Sequence, residues 1–469
     1  MNGFTTTENV ASSPAAIDRA IALQKEGRLS EAETLLHAAI LRDPGNAKLY
    51  NARGAILAAS GRHVDAVTCY REGAVLDPAY PTIWSNLGNA LTHLRHLQSA
   101  INCHRRAIFL TRGEDASRYY NLGTSLAEAS LHGDAVLAFD RALEIEPTKH
   151  EARLNRALSY LHLGNYRQGF ADFEARRATG ELPSKTLPGK AWDGSAYANK
   201  RLVLVAEQGF GDMIWASRYL SRVKALGGEL VIECPSELIP LLETLKVADR
   251  FVERGSPLPA ADYHCYFCSL PGLFTTDYAS IPRQPFIAAP SDRMRRFDEV
   301  MERVPSSLRV GIVWSGSVTF KRNHERAQPL QKFSLGFAMP GVQLFSLQKG
   351  PPEQELQALP KGGPIVDLSP YIRDFADTAA ALSHLDLVIM TDSAVAHLAA
   401  SMGKPVWLLL GHVAHWMWLH DRTDSPWYPS MRLFRPRGEG DWNHVFDSAS
   451  AALMELAMSM RSGKDNRSG

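Results

Sequence analysis

Three scarcities bound what this 469-residue chain can be. Cysteine occurs only five times, an odd number spread over about 200 residues, which argues against a disulfide framework. Cys265 and Cys268 are spaced Cys-x-x-Cys with His264 beside them. No second ligand pair stands at zinc-site spacing, so the stretch reads as a half-buried strand whose thiols act as small apolar side chains. Charge of one sign is not in excess: 51 basic residues against 50 acidic ones leave +1, which argues against a general nucleic-acid or polyanion binder. No apolar run approaches the roughly 18 residues that a membrane span needs. The opening Met-Asn-Gly-Phe-Thr-Thr-Thr-Glu has no basic segment followed by an apolar one, so the cytoplasm is the expected location. With 45% hydrophobic residues, the length suits about three globular units.

What is present first is self-similarity. Gly54 and Gly88 are 34 residues apart, as are Ala32, Ala66 and Ala100, and Pro44 and Pro78. The next unit is 35 long, taking Gly88 to Gly123 and Ala100 to Ala135. Aligned so, Tyr50, Trp84 and Tyr119 form one column and Tyr70, His104 and Phe139 a second. Ala39, Ala107 and Ala142 form a third, in which Gly73 replaces alanine. Small residues let the two helices of a hairpin approach, and aromatics fill the gaps between hairpins. These columns resemble the tetratricopeptide repeat, quoted best by Trp84-Ser-Asn-Leu87-Gly88 and by Tyr119 through Leu122-Gly123, Ala135, Phe139, Ala142 and Pro147. An α-solenoid is expected over residues 1–179, with a weak first helix near 13–26 and a decayed fifth unit in which Tyr160, Gly164, Tyr166, Phe170 and Phe173 keep the spacing loosely.

Residues 180–200 carry two prolines and three glycines without helical periodicity and read as a linker. Short buried strands then alternate with helical stretches, as a doubly wound parallel sheet requires. Expected strands are 201–206, 230–234 and 263–270 in one set, with helices at 213–226 and 237–245. A second set starts at Arg309 and continues through 342–348, 365–368, 387–391, 406–410 and 431–434. The expected halves are 201–305 and 306–460, each Rossmann-like, followed by a disordered tail at 461–469. Ligands in such sheets bind beyond the carboxyl ends of the strands, where Glu207 to Asp212, Ser315 to Ser317, Gln348 to Lys349 and Thr391 to Ser393 all fall.

The turn at Thr391 to His397 is the most pointed of these. An apolar strand ends at Thr391, Asp392 can cap a helix, and Gly403 and Pro405 end that helix. Unpaired N–H groups and a partial positive charge at its start suit a phosphate or diphosphate. Ser393 and His397, four apart, share one face. The alternative is an ordinary α/β turn with Asp392 as cap and His397 packed beneath.

Glu207-Gln-Gly-Phe-Gly-Asp212, Trp314-Ser-Gly316, Ser346-Leu-Gln348-Lys349-Gly, Asp374-Phe-Ala-Asp377-Thr378, Thr391-Asp392-Ser393-Ala-Val-Ala-His397 and Asp424-Ser-Pro-Trp427-Tyr428-Pro occur in this order. Together they resemble the carboxyl-terminal region of tetratricopeptide-repeat glycosyltransferases, which are bacterial proteins related to the heptosyltransferase family and, more distantly, to O-linked N-acetylglucosamine transferase. The resemblance implies a GT-B fold, with the acceptor on the first half and a nucleotide sugar, as substrate rather than cofactor, mainly on the second. It further implies that Asp212 is the general base of an inverting transfer; a helix N-cap is the other reading of that residue. Asp-x-Asp, the usual signature of a metal-held diphosphate, occurs nowhere, so no metal is expected. Ser317, Lys321, Ser393, the helix start at Asp392 and the nearby Arg326 are the side chains suited to replace one. Gln348 and Lys349 are placed to meet the base or ribose, His397 either meets the diphosphate or stays buried, and Asp377 and Thr378 cap the next helix. Trp416, Trp418, Trp427 and Tyr428 either stack on the ligand or belong to the core. One stretch departs from the family pattern of an acid followed by Arg-Ser: this chain has Asn323 and Ala327 there, which weakens a hydrogen-bonding set on the donor side. The repeats are expected to recruit a protein or a carrier-bound glycan, with flagellin-like and other surface-structure subunits among the acceptors the resemblance implies. A scaffold that has lost catalysis and a lipid-linked glycan transferase are the rival readings.

Overall fold

The computed structural model describes residues 12–180, 182, 185–207, 209–304, 308–358 and 363–465. Gln208, inside one of the site motifs, lies outside the described residues. By contacts the chain divides into Met1–Tyr160 and Leu161–Gly469.

The first unit is built of helical hairpins, opening with Ser13–Lys25 and Leu29–Arg42 and closing with His132–Ile145 and the start of His150–His162. Sequence columns become contacts here. A Cβ added to Gly54 would lie 2.5 Å from the Tyr70 ring, to Gly88 2.5 Å from His104, and to Gly123 2.6 Å from Phe139. Gly73 stands in the alanine column because Ile83 fills the space: a Cβ there would meet Ile83 Cδ1 at 2.4 Å. The turn inside each hairpin uses a left-handed residue, glycine at Gly27 and Gly61 (φ 77° and 76°) but Arg95 and Ser130 (φ 63° and 61°) in the next two.

Two all-parallel sheets form the second unit, as expected of the GT-B class. The strands are β1 (Lys190–Ala191), β2 (Arg201–Val205), β3 (Glu229–Cys234), β4 (Arg250–Glu253), β5 (Tyr263–Tyr266), β6 (Leu308–Val313), β7 (Val342–Ser346), β8 (Ile365–Asp367), β9 (Leu387–Thr391), β10 (Val406–Leu409) and β11 (Met431–Phe434). Their order is β1-β5-β2-β3-β4 in one sheet and β11-β10-β9-β6-β7-β8 in the other. In the first sheet β2, β3 and β4 run outward in chain order while β5 returns to the other side of β2, with β1 beyond it; the second order reverses once, between β9 and β6. The loops following those strands therefore open onto the two crevices where such sheets take ligands.

The structure corrects the expected organisation in several places. Part of the expected linker is packed: β1 pairs with β5, and Trp192 and Tyr197 are buried. Strand β5 stops at Tyr266, and its expected continuation to residue 270 turns helical, because Glu207 draws the Cys268 N–H out of the ladder. The decayed fifth repeat is cut by the boundary between the two units. Its helix Tyr166–Phe173 falls in the second unit, where Tyr166 meets Trp427 at 5.1 Å and Phe170 meets Trp416 at 5.8 Å. Trp215 of the first half meets Trp416 at 5.5 Å and Trp427 at 5.0 Å. One aromatic knot thus ties this helix to both halves, with ring pairs near the edge-to-face geometry such clusters prefer. The expected tail is helical as far as Asp465, in helix Trp442–Asp465, and residues 466–469 lie outside the described residues. No helix among the described residues is long and apolar enough to cross a membrane.

Candidate active site

The loop after β2 carries Asp212. Helix Phe210–Ala216 begins with Gly209 as N-cap, so Asp212 is its third residue rather than the cap itself. Asp212 Oδ2 accepts from Gly209 N at 3.1 Å, which leaves Oδ1 free of that task. The loop is anchored by a buried ion pair that sequence reading missed. Arg176 Nε and Nη2 donate to Glu207 Oε2 and Oε1 at 2.8 and 3.1 Å, and Glu207 Oε1 also accepts from Cys268 N at 2.8 Å. Both side chains are almost wholly buried, so each satisfies the charge of the other. A separation of 31 residues and no periodic pattern gave no signal for the pair.

Across the cleft, β9 delivers the turn. Ser393, not Asp392, is the N-cap of helix Ala394–Ser401, with extended backbone (φ −159°) and no capping bond from its side chain. Ser393 Oγ is buried without a partner, an unmet hydroxyl beside the first N–H groups of a helix. Asp392 Oδ2 accepts from Trp418 Nε1 at 3.0 Å, so this carboxylate fixes an indole, which corrects the expectation that it caps the helix. His397 is buried beneath and hydrogen-bonds Tyr428 Oη through Nδ1 at 2.9 Å. The two halves touch here: a Cβ on Gly211 would lie 2.9 Å from His397 Cδ2.

Electrostatics separate the two titratable groups. Desolvation, reinforced by the Glu207 and Asp392 charges and opposed by the Gly209 N–H, pushes Asp212 up to about 6. Desolvation pulls His397 down to about 4, so its ring is neutral at physiological pH.

Other expected residues divide. In the loop after β6, Arg326 lies over Gly316, where a Cβ would be 2.6 Å from Nη2, and over the Phe320 ring at 4.5 Å. Ser317 Oγ pairs with Thr319 Oγ1 at 2.8 Å, and Lys321 is exposed on the same loop. Asn323, which departs from the family pattern, does structural work: it donates to Ser315 Oγ at 3.0 Å and accepts from Arg326 Nε at 3.2 Å. Gln348 is not free for base or ribose. Its Oε1 accepts from Trp314 N and Ser315 N at 3.1 and 3.0 Å, and its Nε2 donates to Ser315 O and Lys349 O at 3.1 and 3.0 Å, which saturates the amide. It latches the β6 and β7 loops together. Lys349 reaches Ser369 O at 3.1 Å and Glu353 at 3.5 Å.

The cap expected at Asp377 belongs to Asp374, whose Oδ1 accepts from Asp377 N at 2.9 Å. Asp377 instead is buried against Arg293, Arg296 and Arg373 at 2.7, 3.1 and 2.8 Å. Trp416, Trp418, Trp427 and Tyr428 are all buried and belong to the core rather than to a ligand platform. Cys265 and Cys268 are buried free thiols.

Residues 17–82 and 120–181 match the family described as tetratricopeptide repeat. Residues 340–428 match glycosyltransferase family 9 (heptosyltransferase). That second match holds Gln348, Lys349, Asp392, Ser393 and His397, and leaves Asp212 and the 315–326 loop outside. The chain is similar to Protein FlbA of Caulobacter vibrioides, 27% identical over 473 residues, which is 94% of this chain and 72% of that protein. Over 88 residues it is 32% identical to the peroxisomal targeting signal receptor of Eremothecium gossypii, covering 19% of this chain and 15% of that one. Among solved structures, MamA of Desulfovibrio magneticus RS-1 aligns at 17% identity over 35% of this chain and 94% of its own, with a TM-score of 0.33.

Proposed function

We propose that this chain, whose segments match tetratricopeptide repeats and glycosyltransferase family 9, moves a sugar from a nucleotide-sugar donor to a protein acceptor recruited by the repeats, with inversion and without a bound metal. The observation that carries this reading is the pairing across one cleft of Asp212, a carboxylate desolvated to a pKa of about 6, with the unpartnered Ser393 hydroxyl at a helix N-terminus.

The donor diphosphate sits at the start of helix Ala394–Ser401. Its charge is met by the helix N–H groups, by Ser393 Oγ and by the Lys321 and Arg326 cations of the neighbouring loop, in place of a metal. Asp212, on the opposite half, accepts the acceptor hydroxyl's proton as that oxygen bonds to the anomeric carbon. The bond from the anomeric carbon to the diphosphate oxygen breaks in the same step, leaving the negative charge on the diphosphate and the proton on Asp212. A base with a pKa near 6 is ionised at neutral pH yet basic enough to take the proton in the transition state.

A line of half-buried amides supports a protein acceptor. Asn51, Asn86, Asn121 and Asn155 recur every 34 or 35 residues on the first helices of successive hairpins. Asn86 donates to Asn51 at 2.9 Å and Asn121 to Ser85 Oγ at 3.1 Å, so each amide is held in place with hydrogen-bonding capacity to spare for an extended peptide.

The test is nucleotide release from a panel of ADP-, CDP-, GDP-, UDP- and dTDP-sugars by the full chain, with and without candidate acceptor proteins. Release from one donor, accelerated by one acceptor and lowered in an Asn86→Ala/Asn121→Ala variant only in that accelerated part, is the expected result. Tight acceptor binding with no release from any donor would overturn catalysis and leave a scaffold.

A further inference from the structure

His397 is caged on three sides. Tyr428 Oη lies 2.9 Å from Nδ1, Trp418 stacks on one face at 5.2 Å and 25°, and a Cβ on Gly211 would lie 2.9 Å from Cδ2 and 3.4 Å from Nε2. The cage is itself fixed, since Asp392 holds the Trp418 indole and the Tyr428 ring is buried with Arg218 4.7 Å from its centroid.

Two proton arrangements satisfy the 2.9 Å contact. If Nδ1 carries the proton, it donates to Tyr428 and Nε2 faces the Gly211 side as a lone pair, able to act as a base. If Tyr428 donates, Nε2 carries the proton and acts as a donor. A phenol proton is more acidic than the N–H of a neutral imidazole, and an unprotonated imidazole nitrogen is a stronger acceptor than a phenol oxygen, so the second arrangement is favoured. Desolvation keeps the ring neutral, which removes the doubly protonated form from consideration at physiological pH.

We propose that Tyr428 is a positioning residue: its hydroxyl donates to His397 Nδ1 and so fixes the imidazole as the Nε2–H tautomer, a neutral hydrogen-bond donor on the cleft side beside Gly211. The proposal rests on the reading of this cleft as the donor site, where Nε2–H supplies a hydrogen bond to the departing diphosphate. A proton already on Nε2 also stops His397 from competing with Asp212 for the acceptor's proton. Proton removal is thereby confined to one carboxylate.

The experiment is nitrogen-15 NMR of the full chain labelled on histidine, with the His397 signals assigned by a His397→Gln variant, before and after adding inorganic pyrophosphate. The wild-type protein should show a protonated, pyrrole-type Nε2 and an unprotonated Nδ1, and Nε2–H should shift on titration. In Tyr428→Phe, which keeps the ring and its packing, the tautomers should mix and pyrophosphate should bind about fivefold more weakly, the loss of one hydrogen bond's orientation. A protonated Nδ1 in the wild-type spectrum overturns the proposal without recourse to any variant, as does an unchanged tautomer in Tyr428→Phe. A fixed Nε2–H tautomer that pyrophosphate leaves unmoved upholds the tautomer and overturns the donor-site reading, so the two failures are distinct.

Discussion

Replacing Asp212 by asparagine tests the base and its environment together. The shift from 3.8 to about 6 means that the native state disfavours the ionised carboxylate. At about 1.4 kcal/mol per unit this is about 3 kcal/mol, and because the side chain keeps part of its surface open to the cleft, screening reduces it to roughly 1–2 kcal/mol. Asparagine is neutral and its Oδ1 can still accept from Gly209 N, so the helix start is retained. Turnover should fall by about 10²- to 10⁴-fold, the usual worth of a general base, while stability rises. A raised folded pKa means the folded state binds the extra proton, so the wild-type penalty is absent below about pH 4, grows as pH rises to about 6 and is constant above. The difference in Tm between Asp212→Asn and wild type should follow that course, whatever other groups do to either protein alone. The wild-type kcat/KM should fall on the acid side with an apparent pKa near 6. Turnover at the wild-type rate in Asp212→Asn would remove it from the mechanism, and equal Tm values at pH 7.5 would refute the desolvation argument.

Four further outcomes are expected. Ser393→Ala deletes a buried hydroxyl without a partner, so Tm should hold or rise while donor KM increases by about tenfold, the worth of one hydrogen bond to a charged group. Arg176→Met leaves Glu207 buried and unpaired and should cost about 3–5 kcal/mol in chemical denaturation, whereas the Arg176→Met/Glu207→Gln double variant should recover a good part of it. Gly88→Ala forces a Cβ against the His104 ring and should destabilise the repeats by about 1–3 kcal/mol, seen in helix melting by circular dichroism. Ser130→Gly relieves a left-handed residue (φ 61°) where sister hairpins use glycine and should stabilise by about 0.5–1 kcal/mol in the same assay.

Features that recur or alternate along the chain were legible without coordinates. A period of 34 or 35 residues fixed the hairpins, because a glycine in one helix and a ring in the next must face each other in every repeat for a continuous core to form. Buried runs between turn residues fixed the second unit as two parallel sheets, and the strand-end position of Asp212 and Ser393 followed from chain order alone. What tertiary structure decided is how each polar group is used. Gln348 and Asp377 have residue types fit for a ligand, yet the first is consumed by four backbone contacts and the second by three arginines, while Asp392 gives one oxygen to Trp418. Whether a hydrogen-bonding group is spent or spare depends on partners far away in sequence, and no local pattern encodes that. The Arg176–Glu207 pair and the Tyr428–His397 contact are of this kind. So is the packing of Tyr166 and Phe170, which keep the repeat's spacing and bury themselves among Trp215, Trp416 and Trp427, rings supplied by segments far away in the chain.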